Sequence, residues 1–242
     1  TTLRSIISQT IKPSLWVIVD DCSDDNTTKI IESYCINHPW IKLLRTKRDD
    51  KRQPGAPVIN AFNKGYDLIK NSIYDFVVKL DCDLRLDPDY FERLMDQSDK
   101  NKKLGISSGI YLEHTINGWV PIEMPSYHAA GACKMVRKEC FCQIGGFIPS
   151  KGWDTIDEIK AQCKGWDTCH FENIKFFHLK AEGSGIGNMK TNIMHGEIYY
   201  ATGGGLLFLI FKIVHRMIFG RPILIGGIMM LFGYLRAFML KK

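Results

Sequence analysis

The chain has 242 residues, 45% of them apolar and 24% charged, a composition that fits a globular protein and excludes a disordered one. That length accommodates one large domain or a domain with an appendage. The net charge is +6, and the whole excess lies after Glu197, in Lys212, Arg216, Arg221, Arg236, Lys241 and Lys242, with no acid among them. A neutral body with a basic, apolar tail points to an anionic membrane surface and away from nucleic acid; an ordinary terminal helix with a basic face is the alternative. The eight cysteines form no C-x-x-C pair, which argues against a zinc ribbon or a thioredoxin-type site. With no signal peptide visible, they read as reduced cytosolic thiols.

Residues 1–10 predict a helix with Leu3, Ile6 and Ile7 on one face, stopped by Pro13. Residues 15–19 form a buried-type strand that runs into Asp20-Asp21-Cys22-Ser23-Asp24-Asp25-Asn26-Thr27. So many polar side chains at a strand end are costly to bury, so this loop should face a ligand or water. Residues 24–27 supply N-caps for a helix over 28–36, whereas Asp20 and Asp21 come too early to cap and are placed to meet a ligand. A third strand spans 41–44. A basic loop over 45–56 follows, suited to neutralising phosphates or simply solvated. A helix over 57–69 then carries Val58, Phe62 and Tyr66 on one stripe and Asn60, Asn63 and Lys64 on the other.

The most informative stretch is 74–89. Phe76, Val77, Val78 and Leu80 make a short apolar strand, which stops at Asp81-Cys82-Asp83. Residues two apart on a strand point the same way, so Asp81 and Asp83 aim two carboxylates at one place. Mg²⁺ or Mn²⁺ already carrying a diphosphate is the natural guest for such a pair. Cys82 between them reads as turned into the sheet. A solvated acidic turn is the alternative, but open α/β sheets bind ligands at the carboxyl ends of their strands. Asp87-Pro88 opens a helix over 88–97.

Further on, a strand is expected over 104–112, irregular chain over 113–130, a short strand over 131–135 and a helix over 137–144 closed by Gly145-Gly146. Residues 153–158 lead into another helix over 157–164, ended by Gly165, and a last strand covers 174–179. The loop Gly183-Ser184-Gly185-Ile186-Gly187 does not fit G-x-G-x-x-G, because position 188 is Asn. From Gly203 the chain turns apolar. Two short helices broken at Gly220-Arg221-Pro222 fit an interfacial or re-entrant anchor, since the uncharged run of residues 223–235 is shorter than the ~20 residues a bilayer requires. A buried hairpin is the alternative. The organisation expected is therefore an α/β domain over 1–200 and a helical tail over 201–242. The opening helix has no strand before it, which reads as a fragment lacking its first strand.

Several motifs, in order, resemble the family 2 inverting glycosyltransferases of GT-A fold over residues 1–200. They are Val19-Asp20-Asp21-Cys22-Ser23-Asp24-Asp25-Asn26-Thr27, the Gly55, Asn60 and Asn63-Lys64-Gly65 segment, Asp81-Cys82-Asp83 with Pro88-Asp89-Tyr90, Gly145-Gly146-Phe147, and Gly152-Trp153-Asp154. The resemblance implies a mostly parallel, Rossmann-like sheet flanked by helices. It also implies a metal-dependent transfer of a sugar from a nucleotide sugar, with UDP-sugar the expected donor, to a glycan or lipid-linked acceptor. Asp20 or Asp21 would bind the nucleobase, and Asn63 and Lys64 would belong to the donor side. Asp81 and Asp83 would hold Mn²⁺ or Mg²⁺ with the diphosphate and sugar, and His178 would close over the diphosphate. Asp154 would be the general base, beside Trp153 as a stacking surface for the acceptor. With the basic tail, this predicts a cytoplasmic enzyme, peripheral on the inner face of the cell membrane and working on the cell envelope. A non-catalytic sugar-nucleotide-binding protein of the same fold and a nucleotidyltransferase are the alternatives.

Overall fold

The computed structural model describes residues 1–47, 56–180, 187–219 and 222–240. Most of the basic loop, most of the glycine-rich loop, the Gly220-Arg221 break and the terminal lysines lie outside the described residues. The chain forms two compact units, Thr1–Leu179 and Lys180–Lys242.

In the first unit, α1 (Thr2–Ile7) leads to β1 (Trp16–Asp21), α2 (Thr27–Asn37), β2 (Ile41–Thr46), α3 (Ala56–Asp67) and β3 (Phe76–Leu80). β1 and β2 pair in parallel, with Asp20 opposite Arg45 and Asp21 opposite Thr46. That pairing carries β1 through both acids, past the end read from hydrophobicity. α3 packs on β1 at Gly65, where a Cβ would come within 2.8 Å of the Val19 side chain.

The larger sheet holds β3, β4 (Leu84–Leu86), β5 (Leu104–Thr115), β6 (Gly118–Pro121), β7 (Cys133–Arg137) and β8 (Asp167–His178). Its order is β3-β7-β5-β8-β4, with β6 added to β5. β5 and β8 are parallel, whereas β7 runs antiparallel to both β3 and β5, and β4 antiparallel to β8. The sheet is therefore mixed where a mostly parallel one was expected. β7 follows the irregular segment after β6 and returns between two strands, reversing the local direction. Among the described residues, β1 pairs only with β2 and β3 only with β7, so each has one open edge.

β3 follows the two-residue period closely. Phe76, Val78 and Leu80 pack against one core, with Leu84, Tyr90, Leu94 and Phe176. Val77 joins a second core on the other face, with Ile59, Val136, Phe141 and Phe147. α4 (Tyr90–Lys100) covers the first core, while α5 (Lys138–Ile144) and α6 (Trp153–Cys163) cover the second.

The second unit contains α7 (Asn188–Ala201), α8 (Leu206–Phe219) and α9 (Ile225–Met239). α7 packs closely on α9 and so belongs with the tail. No helix among the described residues is long and apolar enough to cross a membrane.

Candidate active site

The acidic turn after β3 is held from several directions. The Asp81 N–H donates to Ala132 O at 2.8 Å, so the β3–β7 ladder runs one residue past the strand. Lys79 and Asp81 therefore share a side, and Lys79 Nζ donates to Asp81 Oδ1 at 2.5 Å and to Gly131 O at 2.9 Å. The chain then turns at Cys82-Asp83 and enters β4. Thr2 of α1 clamps this turn: its hydroxyl shares its one proton between Cys82 O at 2.6 Å and Leu84 O at 2.8 Å, and accepts from Leu84 N–H at 3.1 Å. Cys82 is exposed, not turned into the sheet.

Strand parity ends at this turn, so Asp83 is placed by it and by β8, where Leu179 N–H donates to Asp83 O at 2.8 Å. The last residue of β8 brings His178 to Asp83, with Nε2 and Oδ1 3.5 Å apart. On its other side, His178 lies opposite Glu113 in the β5–β8 register, with Nδ1 and Oε1 3.8 Å apart. That Nδ1 is buried without a hydrogen bond among the described residues. The hydrogen bond to Asp83 raises the imidazole above its usual range, burial opposes this, and the charges of Asp83, Asp81 and Glu113 add to the rise.

This donor set suits a hard or borderline divalent ion. Asp83 offers carboxylate oxygen and His178 an imidazole nitrogen, a combination Mn²⁺ accepts. Asp81 differs from its expected role, because one of its oxygens is committed to Lys79. Among the described residues no three His, Cys, Asp or Glu side chains form a ready cage. One or two protein ligands completed by substrate phosphates is the usual arrangement for such ions.

Asp154 approaches from α6. Gly152 precedes the helix in the left-handed conformation (φ 72°), and no side chain caps it, so Asp154 sits in the first turn rather than serving as the cap. Its carboxylate lies against Gly131, where a Cβ would come within 3.3 Å of Asp154 Oδ2 and 3.2 Å of the Trp153 ring. Gly131 thus leaves the space that Asp154 occupies and accepts from Asp81's partner Lys79 through its carbonyl.

Beneath Asp154 lies a buried charge cluster. Lys134 Nζ donates to Asp154 O at 2.8 Å, to both Asp157 oxygens at 3.1 and 3.2 Å, and to Glu158 Oε1 at 3.1 Å. Glu158 also accepts from Ala129 N–H at 2.8 Å and lies 2.9 Å from His128 Nδ1. Burial pushes Asp157 up to about 7 despite Lys134. Burial works against a charged His128, but the hydrogen bond and charge of Glu158 outweigh it and raise its pKa.

Two expected donor- or acceptor-side residues have other roles. Trp153 is only 7% exposed, packs edge-on to Phe147 and lies under Lys79 and Lys134, each 5.2 Å from its ring centre. It has no open face for an acceptor sugar. Asp20 is buried and accepts from Ser23 N–H at 2.9 Å and Thr28 Oγ1 at 2.7 Å, with Arg45 at 3.5 Å. Burial opposes its charge, but these hydrogen bonds hold its pKa below the usual range. Asp20 thus ties strand to loop and helix, while Asp21, half-buried, takes a hydrogen bond from Thr46 at 3.1 Å. On α3, Asn63 is half-buried and Lys64 exposed.

Reasoning from sequence missed Lys79, Glu113, Gly131, Lys134 and Glu158. Lys79 carried a readable signal: a cation inside an apolar strand, two residues before Asp81 and so on its side. Glu113 and Lys134 carried none, because their partners come from strand register and helix packing.

A family model described as "Glycosyl transferase family 2" matches residues 1–135. The chain belongs to that family. Poly-beta-1,6-N-acetyl-D-glucosamine synthase of Staphylococcus epidermidis is 31% identical over 112 residues, or 45% of this chain. The match spans 24% of that relative's length, so the aligned part of this family 2 chain covers about a quarter of it. Among solved structures, the mannosyltransferase PcManGT from Pyrobaculum calidifontis, in complex with GDP-Man and Mn²⁺, gives a TM-score of 0.61 at 15% identity, covering 97% of this chain and 70% of its own. GalNAc-T7 with UDP, GalNAc and Mn²⁺ gives 0.57 at 15% identity, covering 83% and 47%. These likenesses establish the fold, and the family 2 chain has the GT-A architecture anticipated from its motifs.

Proposed function

We propose that this chain carries the catalytic domain of a metal-dependent, inverting hexosyltransferase. It moves a sugar from a nucleotide sugar, with UDP-sugar the favoured donor, to a glycan or lipid-linked acceptor. The observation that carries the reading is the linkage of Asp83–His178, Asp81–Lys79 and Gly131–Asp154 around one strand end. Family membership and two fold neighbours recorded with nucleotides and Mn²⁺ support it.

Asp83 and His178 are the residues that would hold a divalent cation, with Asp81 nearby. Such a cation neutralises the charge that develops on a leaving diphosphate. Asp21, at the end of β1, takes the nucleobase, and Asn63 and Lys64 face the donor from α3. Lys79 holds Asp81 in place while keeping its own charge within the protein. Asp154 accepts the proton of the acceptor hydroxyl as that oxygen attacks the anomeric carbon from the side opposite the diphosphate, which inverts the configuration. Removing a positioned general base typically costs about 10²–10⁴-fold in rate.

The test is nucleotide release by the full chain with Mn²⁺ and a panel of UDP- and GDP-sugars. Asp154→Asn should keep nucleotide binding and lower turnover by about 10²–10⁴-fold, whereas Asp83→Ala should lose both. Full turnover in Asp154→Asn would remove Asp154 from the mechanism. No release with any donor would remove the transferase reading.

A further inference from the structure

The second unit is packed inside out. A helix of a water-soluble bundle hides its large apolar side chains and shows polar ones. Here the closest approaches between helices are made at small residues. A Cβ on Gly196 would fall 2.0 Å from Met230 O, one on Gly233 2.0 Å from Ile193 O, and one on Gly227 2.6 Å from Ile213 O. Two polar side chains of α7 are also turned inward. Asn192 and Glu197 are buried, Arg216 donates to Asn192 Oδ1 at 2.7 Å, and Arg236 donates to Glu197 Oε1 at 3.1 Å. The large apolar residues point out: Leu207 is 74% exposed, Phe211 64%, Phe219 73% and Met239 71%. Small residues at helix contacts, internal polar pairs and an apolar exterior are the packing of helices solvated by lipid, and an exposed apolar surface this large marks an interaction site.

Length and charge then select the kind of contact. α8 has 14 residues and α9 15. At 1.5 Å per residue α8 is about 21 Å long, short of a hydrocarbon core of ~30 Å. Leu209, Met230 and Tyr234 join α8 and α9 into an antiparallel pair. After Glu197 the sequence has six basic residues and no acid, and the four besides Arg216 and Arg236 complement an anionic headgroup layer.

We propose that α8 and α9 form a monotopic membrane anchor. Their apolar outer face enters one leaflet of an anionic bilayer, and neither helix crosses it. This inference rests on the second unit alone and does not depend on the catalytic reading.

The experiment is flotation of the full chain with vesicles of phosphatidylcholine mixed with phosphatidylglycerol, compared with phosphatidylcholine alone. The wild type should float mainly with the anionic vesicles. The double variant Leu207→Glu/Phe211→Glu should lose about tenfold or more of that partitioning, with an unchanged far-UV circular dichroism spectrum. The control Ile73→Glu/Ile116→Glu makes the same charge change at two residues of the first unit that are 96% and 102% exposed, and should float like the wild type. Equal flotation of both double variants would overturn the proposal, as would equal capture by neutral vesicles. So would a wild type that ignores vesicles and instead sediments as a dimer that Leu207→Glu/Phe211→Glu makes monomeric, because the face would then join two copies of the chain.

Discussion

At the scale of single residues, burial separates side chains that face a ligand from those that hold the frame. Trp153 fills the core beside Phe147 and under two ammonium groups. Trp153→Ala should therefore cost about 3–5 kcal/mol of stability, read as a drop in denaturation midpoint. A variant that kept its stability and changed only the acceptor KM would reverse this assignment. Asp20 was legible as an acid at a strand end, but not as the acceptor of the Ser23 and Thr28 hydrogen bonds. A run of acids in sequence does not reveal which carboxylate the loop itself will consume. Asp83 was legible as an acid just past a regular strand, but not in its placement, which the turn and β8 set.

At the scale of elements, α6 depends on what lies beneath its first turn. Lys134→Met would leave Asp157 and Glu158 buried without their ammonium partner, and unpairing a buried charge costs about 3–5 kcal/mol. Calorimetry of that variant checks the value. The cluster should also make stability depend on pH. Asp157 has a native pKa of about 7 against an ordinary 3.8, and His128 is likewise raised above 6.5. Both groups bind their proton more tightly when folded. Their stabilisation is complete below the unfolded values and fades as pH rises through the folded ones. The stability advantage of wild type over Asp157→Asn/His128→Asn should therefore shrink between mildly acidic and mildly basic pH, in urea titrations across that range. An advantage that grew with pH would contradict the assignment. Gly131→Ala tests the neighbouring contact: its Cβ meets Trp153 and Asp154 at 3.2–3.3 Å, so Asp154 must shift, and turnover should fall more than nucleotide binding. A helix was legible over 157–164 but begins four residues earlier, at Trp153, and the charges under it were not legible, because Lys134 lies 20 residues from Asp154 on β7.

At the scale of the whole molecule, hydrophobic period and turn residues located most strands and helices of the first unit, with errors at the ends. β8 begins at Asp167, not near 174, since its first half, with Cys169, His170 and Glu172, lacks an apolar run and exists by pairing with β5. β4 and β6 were missed for the same reason: three or four residues carry too little pattern, and a strand that short is fixed by its partner in the sheet. Parallel and antiparallel neighbours could not be told apart from local pattern, which is why the mixed sheet was not anticipated. The motifs at strand ends remained readable because each follows a short apolar run. The account depends on Asp83 and His178 acting together at one such end. The most direct test is titration of Mn²⁺ with UDP into the full chain, followed by electron paramagnetic resonance. Wild type should bind the ion in the presence of UDP, and Asp83→Ala and His178→Ala should each weaken that binding by at least the roughly 10–100-fold that loss of an outer-shell partner costs. Wild-type affinity in both variants would contradict the account.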